Sequence, residues 1–230
     1  MFWYVDRYYF LLIVPAMLIA MFAQARVNTT FNRYSRVYSR RGITAAQVAR
    51  SILDANGLYE VQVMRVSGHL TDHYDPRTNV VRLSDSVYTS SSIASIGVAA
   101  HEVGHAIQHA TDYAPLTIRS AIIPITNLGS QLSMPLILLG ILFSAQPLVE
   151  IGILAFSLMA VFQLVTLPVE FNASNRAIRT LAADGYLDQE ELSGAKQVLG
   201  AAAMTYVAAL ITSLAQLFRL ILLFGRRDED

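Results

Sequence analysis

Residues 101–105 read HEVGH, within the small-residue run "ASIGVAAHEVGHAIQHAT" (94–111). Positions four apart on a helix share one face, about a turn along the axis. His101 and His105 can therefore present two imidazole nitrogens to a single zinc ion, which binds nitrogen at about 2.0–2.1 Å. Glu102 projects from the flank of that face, placed to take a proton from water rather than to ligate. Zinc lowers the pKa of a bound water to about 7, and the pattern is the H-E-x-x-H of zinc metallopeptidases. The competing reading is a buried helix whose histidines are only hydrogen-bonded. The chain has no cysteine, so disulfide scaffolds and thiolate metal sites are excluded and any metal is held by nitrogen and oxygen.

A catalytic zinc needs a third protein ligand and an open fourth position. His109 lies about 80° around and about 12 Å along the helix from His101, which makes it a neighbour of the site or an interface residue rather than a ligand. Glu170, in "TLPVEFNASNRAIRTLAADG", follows some twenty apolar residues. A carboxylate there is costly unless it is paired or coordinated. Glu170 is the expected third ligand, the alternative being a helix-end charge paired with Arg176 or Arg179. Pro168 is expected to break or bend the span just before it. Peptide hydrolysis also needs a donor for the developing oxyanion. The loop "GHLTDHYDP" offers His73 as a candidate catalytic donor, with His69, Asp72 and Tyr74 beside it. A hydrogen bond within the loop is the ordinary role of such a histidine. The segment "NVVRLS" could be a sheet edge that takes substrate by strand addition, or an internal strand.

These residues sit in a chain of 230 residues that is 54% hydrophobic and 15% charged, with no formal net charge and a mean hydropathy of +0.43. That balance points to a membrane protein and offers nothing to nucleic acid. Four stretches are long enough to span the hydrocarbon core of a bilayer: 8–25, 121–145, 148–169 and 201–224. Only "QP" separates the second from the third, which predicts a tight antiparallel hairpin. The small-x-small "AQA" (23–25) has the form of a signal-peptidase site. The residues before the first span lack a positive charge bias, whereas those after it are strongly basic, and this favours an uncleaved anchor. Seven arginines lie from Arg26 to Arg65, against Asp54 and Glu60 alone. The excess places residues 26 to about 117 in the cytoplasm, and two crossings bring residues 170–197 back to the same side. Arg226 and Arg227, left outside by the last crossing, fit that rule poorly.

The segment after the anchor reads as a small α+β region. "ITAAQVARSILDANG" (43–57) is expected to be a helix capped by Thr44 and ended at Gly57. "YEVQVMRV" (59–66) and "NVVRLSD" (79–85) are strand candidates. Ser90 to Ser92 are placed to cap a helix reaching about His109. In the second span, Asn127 and Gln131 are expected either to line a wet cavity or to bond helix to helix. Arg219 is expected to reach the interface.

Taken together, "ITAAQVARSILDANGL", "GHLTDHYDPRTNVVRLSDSVY", "VAAHEVGHAIQ" and "LPVEFNASNRA" resemble the small bacterial membrane proteins called neutral zinc metallopeptidases (YugP-like), across nearly the whole chain. The resemblance implies a gluzincin-type site with Zn2+ on His101, His105 and Glu170, and Glu102 as general base. It also implies an integral membrane peptidase from a bacterium, and hence a multi-pass protein of the inner membrane. The "EFNAS" element looks like the E-x-x-x-D helix of larger membrane gluzincins, but Ser174 stands where those carry Asp.

The expected architecture is a mainly α membrane protein of about four transmembrane helices with a small α+β, zincin-like cytoplasmic domain. Its parts are an anchor (1–25), a catalytic region (26–117), a hairpin (118–169), a cytoplasmic helical segment (170–197) and a last span with its tail (198–230). The expected function is zinc-dependent hydrolysis of membrane-associated or unfolded polypeptides at the cytoplasmic face, with the bilayer as the other partner. The alternatives are a non-catalytic zinc-binding scaffold, which would have no need of Glu102, and a site-2-type intramembrane protease, which would place its histidines inside a span.

Overall fold

A computed structural model describes residues 6–225; Arg226 and Arg227 of the tail lie outside the described residues. A π turn, Tyr9–Ile13, leads into α1 (Val14–Tyr34). Then come α2 (Ala45–Ala55), β1 (Gln62–Val66), β2 (His73–Asp75), β3 (Val80–Ser84), α3 (Asp85–Tyr88) and α4 (Ile93–Ala110). Three long helices complete the chain: α5 (Ala114–Leu142), α6 (Gln146–Ala183) and α7 (Gln189–Phe224). Four helical segments are long and apolar enough to cross a membrane: Tyr9–Tyr34, Ala114–Leu142, Gln146–Ala183 and Gln189–Phe224. The protein is thus mainly α, with one three-stranded sheet.

The chain forms two compact units. One holds the residues up to Ala23, Ile118–Leu167 and those from Thr205 onward. The other holds Gln24–Thr117 and Pro168–Met204.

In the first unit, α5 packs on the first part of α6 through small residues. A Cβ on Gly129 would lie 2.9 Å from the carbonyl of Ala155, and one on Gly152 would lie 2.8 Å from that of Ser133. Without a hydrophobic drive between helices inside lipid, such close backbone contact is the main source of association. The buried stripe of α5 here is Thr126, Gly129, Ser133, Ile137 and Gly140. Asn127 and Gln131 are exposed, so neither a lined cavity nor a helix-to-helix bond is their role in the single chain. The turn of the hairpin is residues 143–145, with Ser144 at φ 52°. Gln146 and Pro147 already belong to α6, because a proline in the first helical turn removes an N–H that has no partner anyway. Arg219 is paired with a carboxylate at the start of the chain. Its guanidinium donates to Asp6 Oδ2 from Nε at 3.0 Å and from Nη2 at 2.7 Å, and it stacks over Tyr9.

The second unit has a continuous apolar core drawn from Phe31, α2, the sheet, α4 and the adjoining ends of α6 and α7. Thr44 caps α2 in a reciprocal box with Gln47, which satisfies two of the otherwise orphaned N–H groups. Ser92 caps α4 by accepting from the Ser95 amide. The sheet order is β1-β3-β2, with β1 parallel and β2 antiparallel to β3. The segment 79–85 therefore supplies the central strand, so of its two readings the internal strand is the one observed; β2, from within the loop 67–78, is an edge. Asp72 pins that loop by accepting from the amide and hydroxyl of Ser84, at 2.7 and 2.9 Å.

α4 is buried on nearly every side, which its alanines and glycines permit. α6 approaches it closely at one point: a Cβ on Gly104 would stand 2.8 Å from the Ala173 carbonyl and 3.2 Å from its Cα. α6 runs unbroken through Pro168, so the expected break is absent. A proline costs the helix one internal bond and a local clash, and the neighbouring turns carry the helix on to Ala183.

Gly104→Ala is expected to lower stability by about 1–3 kcal/mol, the usual cost of overpacking. Gly200, in the interior of α7, has nothing within 4 Å of an added Cβ, and Gly200→Ala is expected to raise stability by about 0.5–1 kcal/mol. Denaturation of both variants in the same detergent separates the two glycines.

Candidate metal centre and active site

α4 carries His101 and His105 on one face, and the backbone approach at Gly104 and Ala173 brings α6 alongside. Glu170, one turn before Ala173, enters between the two rings. Its Oε2 lies 3.4 Å from His101 Nε2 and 3.6 Å from His105 Nε2. The rings meet edge to face, with centroids 4.7 Å apart. Suitable donor atoms of these three residues all lie within 4.8 Å of one another. Glu170 is 2% exposed, while the imidazole side chains keep 14% and 13% of their exposure. The carboxylate is thus sealed in, while the imidazole rings keep a little exposure. Both imidazoles are among its partners, and Arg176 bonds Asn172 from Nε to Oδ1 at 2.8 Å.

The far side of each ring is also engaged. His105 Nδ1 is 3.0 Å from Gln108 Oε1, and His101 Nδ1 is 3.1 Å from Ser174 Oγ. Gln108 Nε2 donates to the Val169 carbonyl and to Asn172 Oδ1, at 2.8 and 3.0 Å. Those two bonds fix Oε1 as the atom facing His105, and a carboxamide oxygen can only accept. His105 therefore carries a proton on Nδ1. Burial pulls the His105 pKa down, but the hydrogen bond to Glu170 and the charges of Glu102 and Glu170 outweigh it and hold the ring above its ordinary value.

This arrangement fits a zinc ion. Nitrogen and oxygen ligands at about 2.0–2.2 Å in a tetrahedron stand about 3.4 Å apart, which is close to the two imidazole–carboxylate separations. Both Nε2 atoms face the same oxygen, and both Nδ1 atoms are occupied elsewhere.

Glu102 is buried at 9% exposure. It accepts from the backbone amide of Tyr74 on β2, Oε2 to N at 3.0 Å. Tyr74 faces Val81 in the β2–β3 ladder, so its side chain and its backbone both contribute to docking β2 on α4. The Tyr74 hydroxyl is 2.8 Å from His109 Nδ1 and donates to Asn79 Oδ1 at 3.0 Å. Burial, with the charges of Asp75 and Glu60, pushes that hydroxyl's pKa up. His109 is thus a strand anchor rather than a member of the three-residue cluster. His73 is not one of the three clustered residues; it is exposed, with Nδ1 2.8 Å from the Thr71 carbonyl. His69 packs against Phe31.

Three residues beside the cluster are weakly signalled by the sequence. Gln108 falls three positions after His105 and Ser174 four after Glu170, spacings that put each on its neighbour's face. The Tyr74 amide has no side-chain signature at all.

Residues 9–225 match the family described as "Putative neutral zinc metallopeptidase". The chain belongs to that family. It is also 47% identical over 220 residues to the "Putative membrane protease YugP" of Bacillus subtilis (strain 168), covering 95% of this chain and 98% of that protein. No solved structure matches it. The family is one of zinc peptidases, so Zn2+ is the metal that membership implies, and the donor set suits it. Family and spans together make this a membrane protein.

Tyr74→Phe is expected to cost about 1 kcal/mol through lost hydroxyl bonds and to speed hydrogen exchange at the Tyr74 amide. Amide exchange read by mass spectrometry over residues 73–75 measures it.

Proposed function

We propose that this protein is a gluzincin-type endopeptidase anchored in the bacterial inner membrane, which cuts unfolded or membrane-associated polypeptides on the cytoplasmic side. The observation that carries the reading is the convergence of His101, His105 and Glu170, with Glu102 adjacent on α4. In this reading those three residues hold Zn2+. When bound, zinc supplies a Lewis acid that polarises the scissile carbonyl and brings the attacking water within reach of a weak base near neutral pH.

Glu102 is that base. The Tyr74 amide holds its carboxylate in place. Glu102 takes a proton from the water that attacks the carbonyl carbon. It returns the proton to the leaving nitrogen as the C–N bond breaks, so an acid and an amine are released. A purely structural metal site has no need of such a group.

The segments 26–117 and 170–197 make up the catalytic region, and 1–25, 118–169 and 198–230 anchor it. Support comes from the compact unit that joins 24–117 to 168–204, since the hairpin between them is long enough to cross and return. The arginines from Arg26 to Arg65 favour the cytoplasmic side for this region. α4 is not among the four segments long and apolar enough to span a bilayer, which weighs against chemistry within the membrane.

Purified protein is expected to cleave an unfolded reporter when loaded with zinc. Glu102→Gln is expected to lose at least about a hundredfold in rate, the scale of a general base, while keeping its metal. Glu170→Ala is expected to lose both metal and cleavage. Undiminished cleavage by Glu102→Gln removes that residue from the mechanism, and full zinc content in Glu170→Ala removes the third ligand.

A further inference from the structure

Histidines on a metal commonly donate their second ring N–H to a carboxylate, a backbone carbonyl or a water. A carboxylate there makes the ring a stronger donor to the metal. In this chain neither ring has one. Behind His105 stands the Gln108 carboxamide at 3.0 Å, and behind His101 the Ser174 hydroxyl at 3.1 Å.

We propose that these two neutral side chains are positioning residues that set the zinc affinity of the site, Gln108 by orienting His105 against α6 and Ser174 by leaving His101 a weaker donor than a carboxylate would. The inference rests on the ligand assignment proposed above.

Gln108 has no exposure, and its described side-chain bonds serve this geometry. Its oxygen accepts from His105 Nδ1. Its nitrogen donates to the carbonyl of Val169, the residue before Glu170, and to Asn172, two residues after it. Arg176 in turn donates to that same Asn172 oxygen. One carboxamide thus ties the second histidine to the turn of α6 that bears the carboxylate. It also fixes Nε2 as the nitrogen of His105 that faces the cluster. Ser174 lies one turn beyond Glu170 on the same helix and is only partly buried. A carboxylate placed there keeps some water, so its ionised form is tolerable.

The test is zinc affinity of the purified full-length protein in detergent, measured by competition with a chromophoric chelator, with thermal unfolding of the metal-free protein read separately. Gln108→Leu keeps the approximate volume and removes every polar bond; it is expected to weaken zinc binding about 10–100-fold. Ser174→Ala is expected to weaken it by about tenfold and Ser174→Asp to tighten it by a similar factor. A residue that served only packing would shift the melting of the metal-free protein and leave the affinity alone.

Zinc binding by Gln108→Leu within twofold of wild type overturns the proposal, as does a Ser174→Asp protein that binds no more tightly than wild type. Should Gln108→Leu fail to fold, the two Ser174 variants still decide the role of the neutral groups. A wild-type chain that takes up no stoichiometric zinc overturns the ligand assignment and this proposal with it. A wild type that binds zinc, with variants that bind it equally well, overturns this proposal alone.

Discussion

The cluster of His101, His105 and Glu170 depends on the absence of a side chain at Gly104. Two helices ordinarily stand about 8–10 Å apart, at a distance set by the side chains at the contact. At Gly104 the backbone of α6 comes close enough that a single added carbon would press on the Ala173 carbonyl. Closeness at that point converts two helix faces into one constellation. The remaining devices hold it there. Gln108 bonds across the same seam, Ser174 bonds back from α6 to α4, and β2 lies against the flank of α4 with its Tyr74 amide on Glu102.

Much of this could be read from residue types and spacing, because the features concerned are local. Thr44 with Gln47 and Ser92 with Ser95 are caps whose partners lie three residues away. The apolar lengths of the four spans need no tertiary information either. The pairing of Glu170 with the two histidines is the exception, a long-range contact found by elimination. An acidic residue after an apolar run requires a partner, and two imidazoles on a helix require a carboxylate or a third nitrogen.

What escaped has equally physical reasons. β2 is three residues, His73 to Asp75, two of them polar, with no alternation to mark it; it is a strand because β3 offers it a ladder. That ladder also makes the segment 79–85 central rather than marginal. Pro168 reads as a breaker, yet the turns around it are held by the rest of a 38-residue helix. Asn127 and Gln131 look like the functional face of α5, although its buried face is made of residues small enough for α6 to approach. Arg219 lacks a visible partner in sequence because Asp6 is at the other end of the chain.

The order of the segments along the chain has a further meaning. The histidines and the glutamate of α4 are synthesised before the hairpin, and the carboxylate that joins them comes only after both of its apolar helices. A nascent chain holding HEVGH has two donors and no enclosure. In the proposed assignment the metal site therefore stays incomplete on the ribosome until the segment that carries Glu170 has been made.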